Sequence, residues 1–375
     1  MNNNTFANTS ISLQSLQLLI LDVPQTEQFV SGIGKRTSRK TLIVKWVSKS
    51  GHIGYGECSC RPDPYYSAEF LDGAVMTIQK FVIPHLKSSQ TYGEVLSILR
   101  KIRGWNFTKS AVEAAAYSVV QQETNQSLFD VLPTKPLSKI PSGISMGIYQ
   151  DKGEMKEAVE KNIAAGYRRL KFKISPNANT EFFDAVNPLL FDSGAVISFD
   201  ANGSFSAKDL DKFGYFVNTY DTVIEQPFSP SRFDVYLAAK KRFPNLKVCF
   251  DEEVKSIGDL IKLHQLGAMD ELNLKVGRVG GISNSIEILQ YCHQHEIPCW
   301  IGGMFETGIG RLLNLQFASY LPNAAAHDLS PSKRYFLQDI IDPDVKMSEG
   351  YVDMKEAKKC QVIPELLEKF TIYRK

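Results

Sequence analysis

Short apolar runs that end in charge recur along the middle of this 375-residue chain at a nearly fixed interval. Lys171 and Lys173 close one run, Asp200 the next, and then come Glu225, Asp251 and Lys275. Steps of roughly 25 residues are what a strand, a helix and two loops consume in a (β/α) barrel, whose strand ends open on one face. The pattern therefore gathers six charged side chains at one barrel mouth. Three carboxylates converging there suit a hard, oxygen-seeking cation such as magnesium. Lysines on either side suit proton transfer at an adjacent carbon acid.

Length argues for about two domains, although a barrel alone can use some 250 residues. Hydrophobic content of 43% and charged content of 22% are those of an ordinary globular protein. The net charge of +2 comes from interspersed opposite charges, so there is no basic footprint for nucleic acid. The N-terminal apolar run at 18–21 is broken by Asp22 and Pro24 and has no basic segment before it, which fits neither a signal peptide nor a membrane span. A cytoplasmic protein is expected, with its six scattered cysteines reduced and structural. A homo-oligomer is compatible with this composition.

Up to about residue 136 the rhythm is strands then helices. Runs at 16–21, 41–47 and 52–57 favour a small antiparallel sheet. Helical spacing follows at 67–86, 91–102 and 109–123, with Ser67 and Glu69 as a cap region for the first. From 137 to 342 strand and helix alternate. Strand runs fall at 143–146, 169–174, 195–200, 222–225, 247–251, 271–275, 298–302 and 324–328, and amphipathic segments at 152–165, 207–215, 257–266 and 283–293 lie between them. Such alternation means a parallel sheet, and eight strands mean a closed barrel. A doubly wound sheet is the alternative, but no Gly-rich phosphate fingerprint follows the first strand. The expected fold is α/β: a (β/α)7β TIM-like barrel with an α+β N-terminal capping domain, which the segment 343–375 returns to complete. The tail at 1–10 is expected to be disordered.

Taken singly, each charged motif has a plain structural reading. A Lys-x-Lys strand is usually a solvated face, and Asp200-Ala201-Asn202 or Glu225-Gln226-Pro227 would serve as cap or turn. Their conjunction at successive strand ends is far more specific. Removing a proton next to a carboxylate makes a dianionic enediolate, which a metal and nearby cations can stabilise. A lysine serves as base when its pKa falls from about 10.4 toward 7 or 8. Lys171 beside Lys173, and Arg278 just beyond Lys275, are cations that would lower it.

The set Lys171-x-Lys173, Asp200-Ala201-Asn202, Glu225-Gln226-Pro227, Asp251-Glu252 and Lys275 resembles the enolase superfamily and its muconate-lactonizing-enzyme-like group. Glu57, the run from Asp63 to Ser67, Lys275 to Gly281, Gly302 to Gly308 and Asp328 to Phe336 are similar to the group of o-succinylbenzoate synthases and N-succinylamino acid racemases. The resemblance covers nearly the full chain. It implies that Asp200, Glu225 and Asp251 bind magnesium, for which manganese can substitute. It makes Lys173 the general base and then acid, Lys275 the cation facing the enediolate, and Lys171 the residue that tunes Lys173. Substrate-side positions are Ser145, Asn202, Arg278, Gly302, Gly303, Met304 and Glu306. The segment Cys58 to Pro62 is more polar than the group's pattern.

The resemblance implies a lyase acting on a small carboxylate, dehydrating 2-succinyl-6-hydroxy-2,4-cyclohexadiene-1-carboxylate to o-succinylbenzoate for menaquinone synthesis. Racemisation of N-succinylamino acids needs a lysine on each face, and this chain has both. A dipeptide epimerase would place an acidic pair on the eighth strand, where His327-Asp328-Leu329-Ser330 offers one acid. A non-catalytic barrel is the remaining alternative. Two local readings also stay open. Gly302 and Gly303 either permit a tight strand exit or bare their N–H groups to a distal carboxylate. Lys35, Arg36 and Arg39 either close over the substrate or sit on a solvated loop.

Overall fold

The apolar runs near the N-terminus pair as a long hairpin. The computed structural model describes residues 6–31 and 34–375, with backbone alone for 27–31 and 34–36. Strand β1 (Ser10–Ser12) stands apart, while β2 (Ser15–Ser31), β3 (Gly34–Val47) and β4 (Ile53–Cys58) form an antiparallel sheet. The strand Thr371–Arg374 completes it along the free edge of β2. Helix α1 (Leu71–Thr77), strand β5 (Ser89–Thr91), and helices α2 (Tyr92–Arg100) and α3 (Asn106–Thr124) follow. Helix α3 lies directly on β4. A Cβ on Gly54 would stand 2.0 Å from the Ala115 carbonyl oxygen, and one on Gly56 would stand 1.9 Å from that of Ala111. The two-residue period of a strand puts both glycines on the helix side.

Two expectations for this region fail. The run 67–86 is not one helix capped from Ser67. The α-helix begins only at Leu71, after an uncapped Phe70, and passes into a π turn at Ile78–Val82 and a 3-10 turn containing Pro84. Glu69 caps a different helix: its carboxylate accepts from Phe107 N and Thr108 N, each at 3.0 Å, in the first turn of α3. An anion there satisfies free N–H groups at the positive end of the helix dipole. The segment 1–10 is not disordered where it is described. Phe6 is buried edge-on against Tyr92, with ring centroids 5.2 Å apart, and β1 pairs with β5. Residues 1–5 lie outside the described residues.

Beyond β6 (Lys139–Pro141), which pairs with Tyr351–Asp353, seven parallel strands stand side by side in chain order. They are β7 (Gly143–Met146), β8 (Arg169–Lys173), β9 (Val196–Asp200), β10 (Val223–Glu225), β11 (Lys247–Phe250), β12 (Glu271–Leu274) and β13 (Cys299–Ile301). Helices α4 (Lys152–Ala164), α5 (Thr180–Ser193), α6 (Leu210–Thr219), α7 (Phe233–Arg242), α8 (Ile257–Gln265), α9 (Ile282–Gln294) and α10 (Gly308–Ser319) alternate with them. The expected eighth strand at 324–328 is reduced to a bridge. Gly143 N donates to His327 O at 2.7 Å on one side, and Asp328 N donates to Ile301 O at 3.0 Å on the other. Alanines at 324–326 have little strand preference, so only two residues close the ring.

Strand alternation separates the barrel's two surfaces. On β8, Phe172 points outward into a cluster with Phe183 of α5, which also meets Phe199 of β9 and Phe216 of α6. Arg169, Lys171 and Lys173 point inward. Two buried carboxylates of the first domain cap barrel helices: Glu57 accepts from Thr307 N at 3.1 Å and Gly310 N at 3.0 Å at the start of α10. Glu113 accepts from Ser283 N at 2.8 Å at the start of α9. Among the described residues no helix is long and apolar enough to cross a membrane.

The contact between α3 and β4 yields a direct test. Gly56→Ala forces a methyl group against helix backbone, which cannot rotate away, and should cost about 1–3 kcal/mol or more. A urea unfolding midpoint equal to that of the parent would show that the helix has room to move.

Candidate active site

Strand register decides which charges meet. Lys173, Asp200, Glu225, Cys249 and Glu271 are successive Cα partners across β8 to β12. The row starts at the mouth end of β8 and finishes on the first residue of β12, as strand tilt in a sheared barrel requires. Ser145, Lys171 and Ser198 form a second row on the same inner face. All three acids at the strand ends are buried, so their charge must be matched inside the barrel.

Each acid meets a cation. Lys173 Nζ donates to Asp200 Oδ2 at 2.7 Å, Lys171 Nζ to Glu225 Oε2 at 2.7 Å, and Lys275 Nζ to Asp251 Oδ2 at 2.8 Å. Lys171 also lies 2.6 Å from Asp328 Oδ2 and 3.5 Å from Asp200 Oδ2. The three lysines differ in reach: the Lys173 side chain is 29% exposed, Lys275 11% and Lys171 4%. Lys173 can therefore touch a ligand at the mouth, whereas Lys171 is sealed beneath it. Asn202, in a left-handed conformation at φ 44°, accepts from Lys173 Nζ and donates to Glu252 Oε1 at 3.0 Å.

The structure reassigns several expected substrate contacts. Gly302 N continues the ladder to Leu274 O at 3.0 Å, and a Cβ there would fall 2.0 Å from Asn273 Oδ1. Gly302 is thus a packing glycine whose N–H is already used. Met304 N is likewise taken, by Glu306 Oε2 at 2.8 Å. Glu306 is buried with its stem against Gly310 and its charge beside Glu57, which turns it toward the domain seam. At Gly303 a Cβ would come within 3.0 Å of Asp328 O. Ser145 shares the inner face with Lys171. Arg278 pairs with Asp251 and with the Tyr66 hydroxyl, so it is a neutralised cation rather than a free like charge beside Lys275. Arg39 is buried and donates to Ser59 O at 2.7 Å, so it anchors the chain after β4. The Lys35 and Arg36 side chains lie outside the described residues.

Two site residues escape sequence reasoning. Asn273 Nδ2 donates to Glu225 Oε1 at 2.7 Å, holding the carboxylate from the side opposite Lys171. Tyr66, from the first domain, brings its hydroxyl within 3.3 Å of Lys275 Nζ. Its place in the Asp63 to Ser67 motif was a signal, but nothing local shows which tyrosine turns inward. Gln226 is a buried brace whose Oε1 accepts from Asp251 N and Glu253 N, each at 3.3 Å.

Burial would depress the Lys171 and Lys275 ammoniums, but their neighbours outweigh it. Asp328, Glu225 and Asp200 hold Lys171 above the ordinary lysine range, and Tyr66, Glu252, Glu225 and Asp200 do so for Lys275. This is opposite to the lowering expected of a base, because several buried carboxylates surround each ammonium. Among the described residues no three acidic, histidine or cysteine side chains form a metal cage. The donor set nevertheless suits a hard cation: Asp200, Glu225 and Asp251 offer oxygen only, and buried Glu252 Oε2 has no hydrogen-bond partner.

The family model described as enolase C-terminal domain-like matches residues 154–358. The chain belongs to the enolase superfamily. It is 30% identical to an o-succinylbenzoate synthase of Listeria innocua, covering 96% of each chain. It is 31% identical to an N-succinylamino acid racemase of Amycolatopsis sp, covering 96% of this chain and 98% of that one. A solved enolase superfamily member from Listeria innocua superposes with a TM-score of 0.89 at 28% identity, covering 97% and 98%.

In this enolase superfamily barrel the far end of the charged row can be tested alone. Burial pushes the Glu271 carboxyl up to about 7, against the pull of the Arg169 guanidinium. The folded chain therefore holds a proton that the unfolded chain releases near 4.5, and stability falls as pH rises between those values. Glu271→Gln should abolish that fall and leave the chain more stable above pH 7 by on the order of 1–3 kcal/mol. Denaturant midpoints on both sides of the window read the effect, and parallel pH profiles for parent and variant would contradict it.

Proposed function

We propose that the chain is a magnesium-dependent dehydratase converting 2-succinyl-6-hydroxy-2,4-cyclohexadiene-1-carboxylate to o-succinylbenzoate, a cytoplasmic step toward menaquinone. The observation that carries this reading is the placement of Lys173 and Lys275. They reach the mouth from β8 and β12, four places apart in the strand order and so on opposite walls, with Asp200, Glu225 and Asp251 between them. Similarity to o-succinylbenzoate synthases of Listeria innocua, Enterococcus faecalis and Bacillus subtilis over nine-tenths of the chain supports it.

Lys173, the lysine open to the mouth, takes the proton alpha to the ring carboxylate and leaves an enediolate. Asn202 and Asp200 fix its ammonium. As the carbon–oxygen bond breaks, Lys173 returns that proton to the departing hydroxyl, so water leaves and the amine is restored. Lys275 faces the enediolate from the other wall as a cation held by Asp251 and Tyr66. Magnesium, or manganese in its place, held by Asp200, Glu225 and Asp251 would supply Lewis-acid stabilisation of the dianion. Hydrogen bonds from Lys171 and Asn273 orient the Glu225 carboxylate.

Racemisation of N-succinylamino acids is the second reading, favoured by the same two opposed lysines and by similarity to the Amycolatopsis racemase. A substrate with a free ammonium fits less well, since both oxygens of Asp328 are already taken, by Arg169 at 2.7 Å and Lys171 at 2.6 Å.

Purified chain supplied with magnesium should form o-succinylbenzoate, lose that activity on chelation and regain it with added metal. No product in the presence of metal would overturn the assignment, and indifference of any function to chelation would mark a scaffold. Lys275→Arg separates the two readings. Arginine remains a cation but cannot exchange a proton, so racemisation should fall about 100-fold or more while dehydration falls far less. Equal loss of both would show that Lys275 has one role in each.

A further inference from the structure

Asp328 lies outside the acidic trio, yet it makes the tightest contact of the most deeply buried lysine. Its backbone sits in the two-residue bridge that closes the barrel, so its side chain enters the ring from the one position without a full strand. Oδ1 meets Arg169 Nη2 at 2.7 Å and Oδ2 meets Lys171 Nζ at 2.6 Å. Arg169 and Lys171 are two residues apart on β8 and point the same way. The Trp300 indole covers both, with the guanidinium carbon 3.8 Å and the ammonium 4.8 Å from its ring centre. These groups form a closed clamp of two cations, one carboxylate and one aromatic face.

Lys171 has three carboxylate neighbours: Glu225, Asp328 and, farther off, Asp200. The reading under "Proposed function", on which this inference rests, gives Glu225 and Asp200 to magnesium. Asp328, whose other oxygen is held by Arg169, is then the carboxylate left to Lys171. An ammonium without that partner would be drawn onto Glu225 and Asp200 and would compete with the metal for their oxygens. We propose that Asp328 is a positioning residue: with Arg169 and Trp300 it holds Lys171 back from the metal-ligating carboxylates, so that metal affinity and turnover both depend on Asp328 through Lys171.

The test is a double-mutant cycle of Asp328→Asn and Lys171→Met, read by magnesium titration calorimetry and by steady-state kinetics. Asp328→Asn should weaken magnesium binding by about tenfold or more, the usual cost of losing a partner behind a ligand. It should lower kcat by up to about 100-fold, as a misplaced catalytic array does, with KM for the organic substrate little changed. In the Lys171→Met background the same substitution should change neither quantity, since nothing remains to restrain. Losses that multiply in the double variant, or an Asp328→Asn chain that binds and turns over like the parent, would overturn the proposal. Should Asp328→Asn fail to fold, the double variant, which removes both charges, is expected to fold; failure of both would reduce Asp328 to a structural residue and overturn it too. A parent that binds magnesium with the expected coupling but acts on neither substrate would instead remove the functional reading and leave the clamp standing.

Discussion

Charge buried inside the barrel must be neutralised within the barrel, and the strands are arranged around that requirement. An isolated ion taken out of water costs several kcal/mol even after the protein relaxes. Here Asp200, Glu225, Asp251 and Asp328 are matched against Lys171, Lys173, Lys275, Arg169 and Arg278. Parallel pairing makes this possible, because Lys173, Asp200 and Glu225 occupy one hydrogen-bonded row and their side chains necessarily meet. The same network explains why Lys171 and Lys275 are held above the ordinary lysine range. It also explains why each acid comes with a second donor, such as Asn273 for Glu225 or Asn202 for Asp200.

The strand-end charges were legible because their meaning is local: residue type, position after an apolar run, and interval. The alternation of Phe172 with Lys171 and Lys173 on β8, and of Phe199 with Asp200 on β9, tells the same story on two neighbouring strands. What escaped depended on chain segments far apart in sequence. Asn273 reads as an ordinary strand residue until β12 is laid against β10 across the barrel interior. Tyr66 acquires a role only when the first domain is docked. Gly302 could be read as ligand-facing because nothing local shows that Asn273 fills the space where its Cβ would be. Within the run 324–328 only His327 and Asp328 bridge to neighbouring strands, and the alanines before them carry neither a strong strand signal nor a turn signal.

The two domains are joined through carboxylates rather than through apolar surface alone. Glu57 and Glu113 each reach from the first domain to the N-terminal turn of a barrel helix, where unpaired N–H groups and the helix dipole favour an anion. Burial raises both carboxyls above the usual carboxylate range, so these contacts hold charge in a place that resists it. The docking carries Tyr66 to Lys275 and so links the first domain's position to the geometry of the barrel mouth.

The strand Thr371–Arg374 lies against β2 although the entire barrel separates them in sequence. During synthesis the first sheet therefore leaves the ribosome with one edge unpaired, and an open edge is a template for pairing with other chains. That edge stays exposed while the barrel is being made. Assembly of this protein cannot proceed strictly from front to back: the earliest sheet is finished by the latest strand, and its burial waits on the domain that it will cover.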